Sequence, residues 1–554
     1  MNDEMTVGDI VAEFLQSVGV TTAFGVVSVH NTPMLDAIGR RNAIRFVRAR
    51  GEAGAGSMAD AYSRVTGGLG VLFTSTGPGA ANACGALVEA RFSGSPLLHL
   101  TGQTARANVD RERGMVHDVP DQLGMLKSVS KKAYRVRSSE NILGVLSMAA
   151  TQALTSPTGP VSVEIPIDIQ RSRVPRPAAL QDFILPIPQP RKPNPEAVAE
   201  LAELTKTAKR PMLWLGNGAK HAGKEAQRFR DMGFGIITSL AGRGVLPEDD
   251  PMVLGCLKDI AKVEEFMQSV DLLIIAGSRV RGHETREFEL QLPARRAQID
   301  IDPSANGRTY TTDQFICSDS QTGLSELADL LEGNTNIEEG FAEEIRKLKI
   351  DVVEEYKNHL GPYGSFAEKL RGVMPRDAVW VRDITLNNST WGNRTFPVYT
   401  PRDSVFALGA AIGLGVAHGI GAAIGATNRK VVCMCGDGGF FMGFADFWTA
   451  KQEGADVVFL VMNDGGYGVI KHIQDTFHEG RHFFADFTNP TLEGCAKLAQ
   501  MPYWKIDDAA DLPRQVQAAL NVNGPALVEV DMKKIGPFPR YFVPPKADSQ
   551  FVRN

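Results

Sequence analysis

A chain of 554 residues, 43% hydrophobic and 22% charged, has the composition of a globular protein and the length of about three domains. A formal net charge of −5 gives no footprint for nucleic acid or for an anionic membrane surface. No apolar run reaches the ~18 residues that a spanning helix needs, so no membrane partner is expected.

The N-terminal MNDEMTVGDIVAEFLQSVGV is acidic and amphipathic, without a basic n-region and long apolar core, so no signal peptide is expected there. Six cysteines without a CxxC pair suit a reduced, cytoplasmic setting. Residues 1–170 read as one α/β unit. Val11, Phe14, Leu15 and Val18 share one face of a helix over Asp9–Val18. A strand is expected to end near Val26-Val27, and others to run over Gly70–Ser75, Leu97–Gly102 and Gly159–Pro166. The segment from Arg50 to Tyr62 places Glu52 among small residues at a helix start, and Thr76-Gly77-Pro78-Gly79 leads into another helix. Seven prolines between Pro175 and Pro195 mark 171–195 as a linker.

Residues 196–340 form a second α/β unit, with strands over Met212–Leu215, Leu272–Ala276 and Ala297–Ile301. A charged helix, 341–360, is expected to be a solvated connection. Residues 361–540 form a third unit and 541–554 a C-terminal tail. The third unit closes on Gly524-Pro525-Ala526-Leu527-Val528-Glu529-Val530, an echo of Gly159-Pro160-Val161-Ser162-Val163-Glu164-Ile165 that suggests a duplication.

The third unit holds the most informative stretch. An apolar run, Val431–Cys435, ends in Gly436-Asp437-Gly438-Gly439, and a second, Val457–Met462, ends in Asn463-Asp464-Gly465-Gly466-Tyr467-Gly468-Val469. Each acidic residue closes a strand. In a parallel sheet such ends lie side by side, where ligands bind. Two carboxylates there suit one hard cation shared with phosphate oxygens. Glycine turns and a following helix N-terminus favour a diphosphate.

The block GEAGAGSMADAYSRVTG…TSTGPGAANACGAL…LTGQT, joined to GDG and Asn-Asp downstream, resembles the acetolactate-synthase-like enzymes that depend on thiamine diphosphate, over nearly the whole chain. In that family the second motif is Asn-Asn, and Asp464 stands here for its second Asn. The resemblance implies three doubly wound α/β domains with parallel sheets, in the order pyrimidine-binding, central, diphosphate-binding. It implies thiamine diphosphate and Mg²⁺, with Asp437, Asp464 and the Gly466 carbonyl on the metal. Glu52 would act on the aminopyrimidine, with Val26, Val27 and Asn82 nearby. Gly409, Ala410 and Ile412 would form the loop that bends the cofactor, with Ile412 as its apolar wedge. Gly436, Gly438, Gly439, Tyr467, Gly468 and Val469 would line the diphosphate. The FAD-type members carry a His-Gly that Leu254-Gly255-Cys256-Leu257-Lys258-Asp259 lacks, so FAD is doubtful and the central domain reads as kept for assembly and stability. The family places its sites between subunits, so a homodimer or a dimer of dimers is expected.

His30 and His117 fall near the expected reaction chamber and are the candidates for acid–base work on a small carbonyl substrate. The expected activity is decarboxylation or carboligation of a 2-oxo acid. The alternatives are a lyase or hydrolase acting on a diketone or 2-hydroxy ketone without decarboxylation, and a non-catalytic binding protein that keeps the fold.

Overall fold

The computed structural model describes residues 4–540, so the expected tail, 541–554, lies outside the described residues. By their internal contacts, residues form two compact units. One comprises residues 4–190, Ala407–Arg429 and Gly443–Ala455, and the other Arg191–Phe406, Lys430–Met442 and residues 456–540.

The first unit is built on a six-stranded parallel sheet in the spatial order Arg45–Arg48, Thr22–Gly25, Gly70–Thr74, Leu97–Gln103, Pro160–Pro166, Lys132–Arg135. Its central strands are fully buried, as in a sheet covered on both faces, with polar His99, Gln103 and Glu164 among their apolar residues. Helix Val7–Ser17 starts where Thr6 and Asp9 cap each other reciprocally, each side chain accepting from the other's backbone N–H at 3.1 Å. The proline-rich stretch is not featureless: Arg173–Pro175 pairs antiparallel with Glu4–Thr6.

Helix Glu52–Thr66 is held by contacts too close for side chains. A Cβ on Gly54 would stand 1.8 Å from Asp446 Oδ2, one on Gly56 2.7 Å from Ala86 Cβ, and one on Gly421 2.1 Å from the Met58 carbonyl oxygen. Helix Gly415–Gly425 thus lies backbone to backbone along it.

The second unit holds two parallel sheets of six strands. One has the order Val253–Gly255, Gly235–Thr238, Pro211–Leu215, Leu272–Ala276, Arg296–Asp300, Gln314–Cys317. In chain rank this is 3-2-1-4-5-6, the doubly wound dinucleotide-fold order. Helix Phe341–His359 covers one face of it. Phe341, Ile345 and Val352 are buried against a cluster that includes Met212, Trp214 and Ile275, which corrects the expectation of a solvated connection: only its opposite face is solvated.

The other sheet runs Ser404–Phe406, Val379–Arg382, Val431–Gly436, Val457–Asn463, Ala526–Asp531, Tyr503–Ile506. Ranked along the chain, its order is 2-1-3-4-6-5, identical to that of the first unit's sheet. The sequence echo of the two closing strands therefore extends to their topology. Three parallel-sheet α/β domains follow one another, as the sequence implied.

Buried His99 bridges two strands, with its ring nitrogens 2.8 Å from Thr74 Oγ1 and 2.9 Å from Ser162 Oγ. Burial lowers its pKa from 6.5 to about 3. The unfolded chain therefore binds a proton that the folded one refuses, and stability falls as pH drops from about 6.5 towards 3. His99→Gln is expected to flatten that acid limb, read as the thermal midpoint against pH.

Candidate cofactor and metal site

The predicted residues fall into two groups, one in each unit. In the first unit, Glu52 opens its helix behind the extended Gly51 and is half-buried. Asn82 donates to Glu52 Oε2 at 3.2 Å. Asn after a Gly-Pro-Gly loop suits a helix start that satisfies backbone amides. Asn82 instead closes the short helix Pro78–Asn82, is exposed, and spends its amide on the carboxylate. Gly79 has no side chain because a Cβ there would stand 2.8 Å from Glu52 Oε1. Glu52 is thus flanked by small residues and one amide donor, an arrangement that orients its carboxyl group.

Strand Thr22–Gly25 ends before Val26, which is half-buried, and Val27, which is 62% exposed. Asn31 donates to the Val26 carbonyl at 2.9 Å and accepts from Ser28 N at 2.8 Å, fixing this turn. His30 follows, and its ring stands 5.2 Å from that of His117, centroid to centroid. The structure thus brings together two histidines 87 positions apart in the chain. His117 has a left-handed backbone (φ 66°), its Nδ1 is 3.2 Å from Ser75 Oγ, and its carbonyl packs where a Cβ on Gly77 would lie. Buried His30 Nδ1 has no hydrogen-bond partner. Burial, then the neighbouring His117 and Arg171, lower the His30 pKa, so this ring is neutral at pH 7 and able to take up or pass on a proton.

The loop of Gly409, Ala410 and Ile412 also belongs to the first unit. Gly409 and Ala410 are exposed, and Ile412 is 37% exposed, which excludes a plain core isoleucine. Ala410 adopts φ 61°, a conformation that costs a non-glycine residue about 1–2 kcal/mol.

In the second unit, strand Val431–Gly436 pairs in register with Val457–Asn463, so their C-terminal ends are adjacent. Asp437 opens helix Asp437–Met442 and is buried, and half-buried Asp464 follows the neighbouring strand. Burial and then the Asp464 charge push the Asp437 carboxyl up to about 7. Burial also raises Asp464, against the opposing pull of an Asp437 hydrogen bond and the Lys471 charge. Two buried like charges form an unfavourable pair that a divalent cation would relieve. Asp437 Oδ2 accepts from Asn489 at 3.0 Å, whereas its buried Oδ1 has no donor.

Glycines leave room around this pair. A Cβ on Gly468 would stand 2.0 Å from Asp464 Oδ2, and one on Gly438 2.7 Å from the Tyr467 ring and 3.5 Å from the Gly466 carbonyl oxygen. Gly436 packs on Thr385, Gly439 is buried, and Val469 lies in the first turn of helix Gly468–Phe477. Among the described residues no three His, Cys, Asp or Glu side chains cluster tightly enough to hold a metal by themselves. Two carboxylates, one carbonyl and a ligand's phosphates nevertheless make the oxygen set that Mg²⁺ uses, and the donorless Oδ1 fits that role. Sequence reasoning missed Asn489: an Asn in an irregular segment 52 residues downstream carries no motif.

Family models for the thiamine pyrophosphate enzyme match three stretches: the N-terminal cofactor-binding domain at residues 5–125, the central domain at 198–327 and the C-terminal cofactor-binding domain at 386–530. Together they cover well over half of the chain. The chain belongs to the thiamine pyrophosphate enzyme family. Within it, the protein is 27% identical over 543 residues to the large subunit of acetolactate synthase isozyme 1 of Escherichia coli K12, covering 95% of this chain and 93% of that one. Acetolactate synthase 2 of Nicotiana tabacum is also 27% identical, over 94% of this chain and 81% of its own. A probable 2-ketoarginine decarboxylase of Pseudomonas aeruginosa is 28% identical, over 84% and 83%. Glu52, Asn82, His30 and His117 fall within the N-terminal family domain, and Asp437 and Asp464 within the C-terminal one.

Proposed function

We propose that the protein is a thiamine diphosphate- and Mg²⁺-dependent enzyme that breaks or forms a C–C bond beside the carbonyl of a 2-oxo acid, by decarboxylation, carboligation or both. The observation that carries this reading is the pair of buried Asp437 and half-buried Asp464 at adjacent strand ends. Its raised carboxyls and donorless oxygen call for a cation, and its glycine-lined turns leave space for a diphosphate. Asp437, Asp464 and the Gly466 carbonyl would hold Mg²⁺. Gly436, Gly438, Gly439, Tyr467, Gly468 and Val469 would line the diphosphate. Val26, Val27, Asn82 and Glu52 would take the aminopyrimidine, and Gly409, Ala410 and Ile412 the bend.

When bound, thiamine diphosphate supplies a carbon nucleophile and an electron sink next to the substrate carbonyl. The rest falls to the chain. Glu52 would hold the proton that the aminopyrimidine ring needs, while Asn82 keeps its carboxyl in place. His30 and His117 move protons to and from substrate. The histidine pair favours outcomes in which the product carbon is protonated, and this keeps a second reading open: cleavage of a diketone or 2-hydroxy ketone without decarboxylation. Intact Glu52 and Asp437 argue against a non-catalytic binding protein.

The domains would run 1–170, 196–340 and 361–540, joined by 171–195 and 341–360. A homodimer or dimer of dimers is supported by helix Gly468–Phe477, in which no residue is buried within one chain, and by exposed Phe483 and Phe484 beyond it. Among the described residues no helix is long and apolar enough to cross a membrane. A cytoplasmic location would fit the free cysteines.

Turnover of a panel of 2-oxo acids, diketones and 2-hydroxy ketones with both cofactors, scored for CO₂ and for condensed products, tests this reading. No cofactor-dependent turnover of any panel member would sink it. His30→Ala and His117→Ala are each expected to lower product protonation by about 10²-fold and to raise the share of condensed product. A product ratio unchanged in both variants would remove the histidines from the chemistry.

A further inference from the structure

Glu89 lies in helix Cys84–Ser93, two residues past the TSTGPGAANACGAL block, and is 1% exposed. It faces the cofactor loop. Its Oε1 accepts from Leu408 N at 2.6 Å and its Oε2 from Gly409 N at 2.9 Å. A carboxylate that takes two successive backbone amides fixes the peptide planes on both sides. The very next residue is Ala410, the one with left-handed φ, whose N–H closes a turn on the Ala407 carbonyl at 3.0 Å. Gly409 must be glycine for the same reason, because a Cβ there would stand 2.8 Å from Glu89 Oε2.

The clamp is itself anchored. Ser93 Oγ donates to Glu89 Oε1 at 2.9 Å, and Arg64 Nη2 reaches the same oxygen at 3.2 Å. Arg64 also pairs with buried Asp60, which lies 3.2 Å from His418 Nε2. Arg64 and Asp60 belong to the helix that opens with Glu52, and His418 to the helix that follows the loop.

We propose that Glu89 is a positioning residue for the cofactor: it holds Leu408–Gly409–Ala410 in the strained turn that presents Ile412, and it references that turn to the Glu52 helix through Arg64. The inference rests on the cofactor reading above. It goes beyond it by assigning a role to a residue that would not touch the cofactor.

The test uses the full-length protein with thiamine diphosphate and Mg²⁺. Glu89→Gln keeps the shape but offers one acceptor oxygen to two amides. Gly409→Ala attacks the same contact from the loop side and leaves the Arg64 network whole. Both are expected to weaken thiamine diphosphate binding by about tenfold or more, by calorimetry, and to raise the KM for cofactor while kcat at saturating cofactor falls less than about threefold. Adding Ala410→Gly to Glu89→Gln, which lets the turn form without strain, is expected to recover most of the affinity. Wild-type affinity in Glu89→Gln, or a loss that Ala410→Gly leaves untouched, would overturn the proposal. A purely structural Glu89 would lower the thermal midpoint without separating KM from kcat. Should the wild-type protein show no saturable cofactor binding, the reading above fails. The clamp is then judged by amide exchange at Leu408 and Gly409, at least about tenfold faster in Glu89→Gln if the clamp is real and unchanged if it is not.

Discussion

Glu52→Gln is expected to leave thiamine diphosphate bound and to lower turnover of the best substrate by about 10²- to 10⁴-fold, the usual reach of one positioned acid–base group. The amide matches the carboxylate in shape, and half-buried Glu52 sits in a frame of glycine and Asn82 that tolerates it. What it lacks is a proton that can be lent and returned. Calorimetry and steady-state rates on one preparation separate the two effects. Asn82→Ala, which removes only the donor at 3.2 Å, should cost about tenfold or less. Full turnover in Glu52→Gln would remove this residue from the mechanism.

Asp437→Asn is expected to weaken Mg²⁺-dependent cofactor binding by at least about 10²-fold, because it withdraws one of two anionic ligands from a hard cation. The same substitution should stabilise the metal-free protein near neutral pH. The sign follows from the raised pKa. A carboxyl pushed from 3.8 to about 7 contributes stability below pH ~4, where both states hold the proton, and loses it as pH rises through 7. The loss amounts to a few kcal/mol, at most about 4. Between pH 4 and 7 the metal-free wild type should therefore fall steadily behind metal-free Asp437→Asn in thermal midpoint, both proteins carrying the same opposing rise from His99. Added Mg²⁺ with cofactor should restore the wild type alone. Identical pH profiles for the two metal-free proteins would refute the like-charge account.

Much of this was written in local pattern. Apolar runs such as Val431–Cys435 and Leu272–Ala276 fold as buried parallel strands because nothing else in the chain offers such runs two covered faces. Asp437 and Asp464 were legible because a strand end fixes where the next residue goes. Glu52 stood out through its small neighbours. Contacts made across long stretches of chain were not legible. Asn489 reaches Asp437 over 52 residues, and Glu89 holds Leu408 over 319. A backbone amide leaves no trace in a side-chain pattern, and neither does the left-handed Ala410, where a sequence reader expects glycine. Charges outnumber the apolar stripe in the helix from Phe341 and point to solvent, yet Phe341, Ile345 and Val352 are enough to seal a sheet face.

The close contacts around helix Glu52–Thr66 have a further consequence. Where side chains separate two elements, a rotamer change can absorb a displacement of a few tenths of an ångström. Here the spacers at Gly54, Gly56 and Gly421 are missing, and main chain rests on main chain or on Asp446 and Ala86. The bed of the Glu52 helix is therefore incompressible: it offers no soft coordinate along which the carboxyl can drift. Its placement is inherited from backbone geometry, which neighbouring substitutions cannot retune.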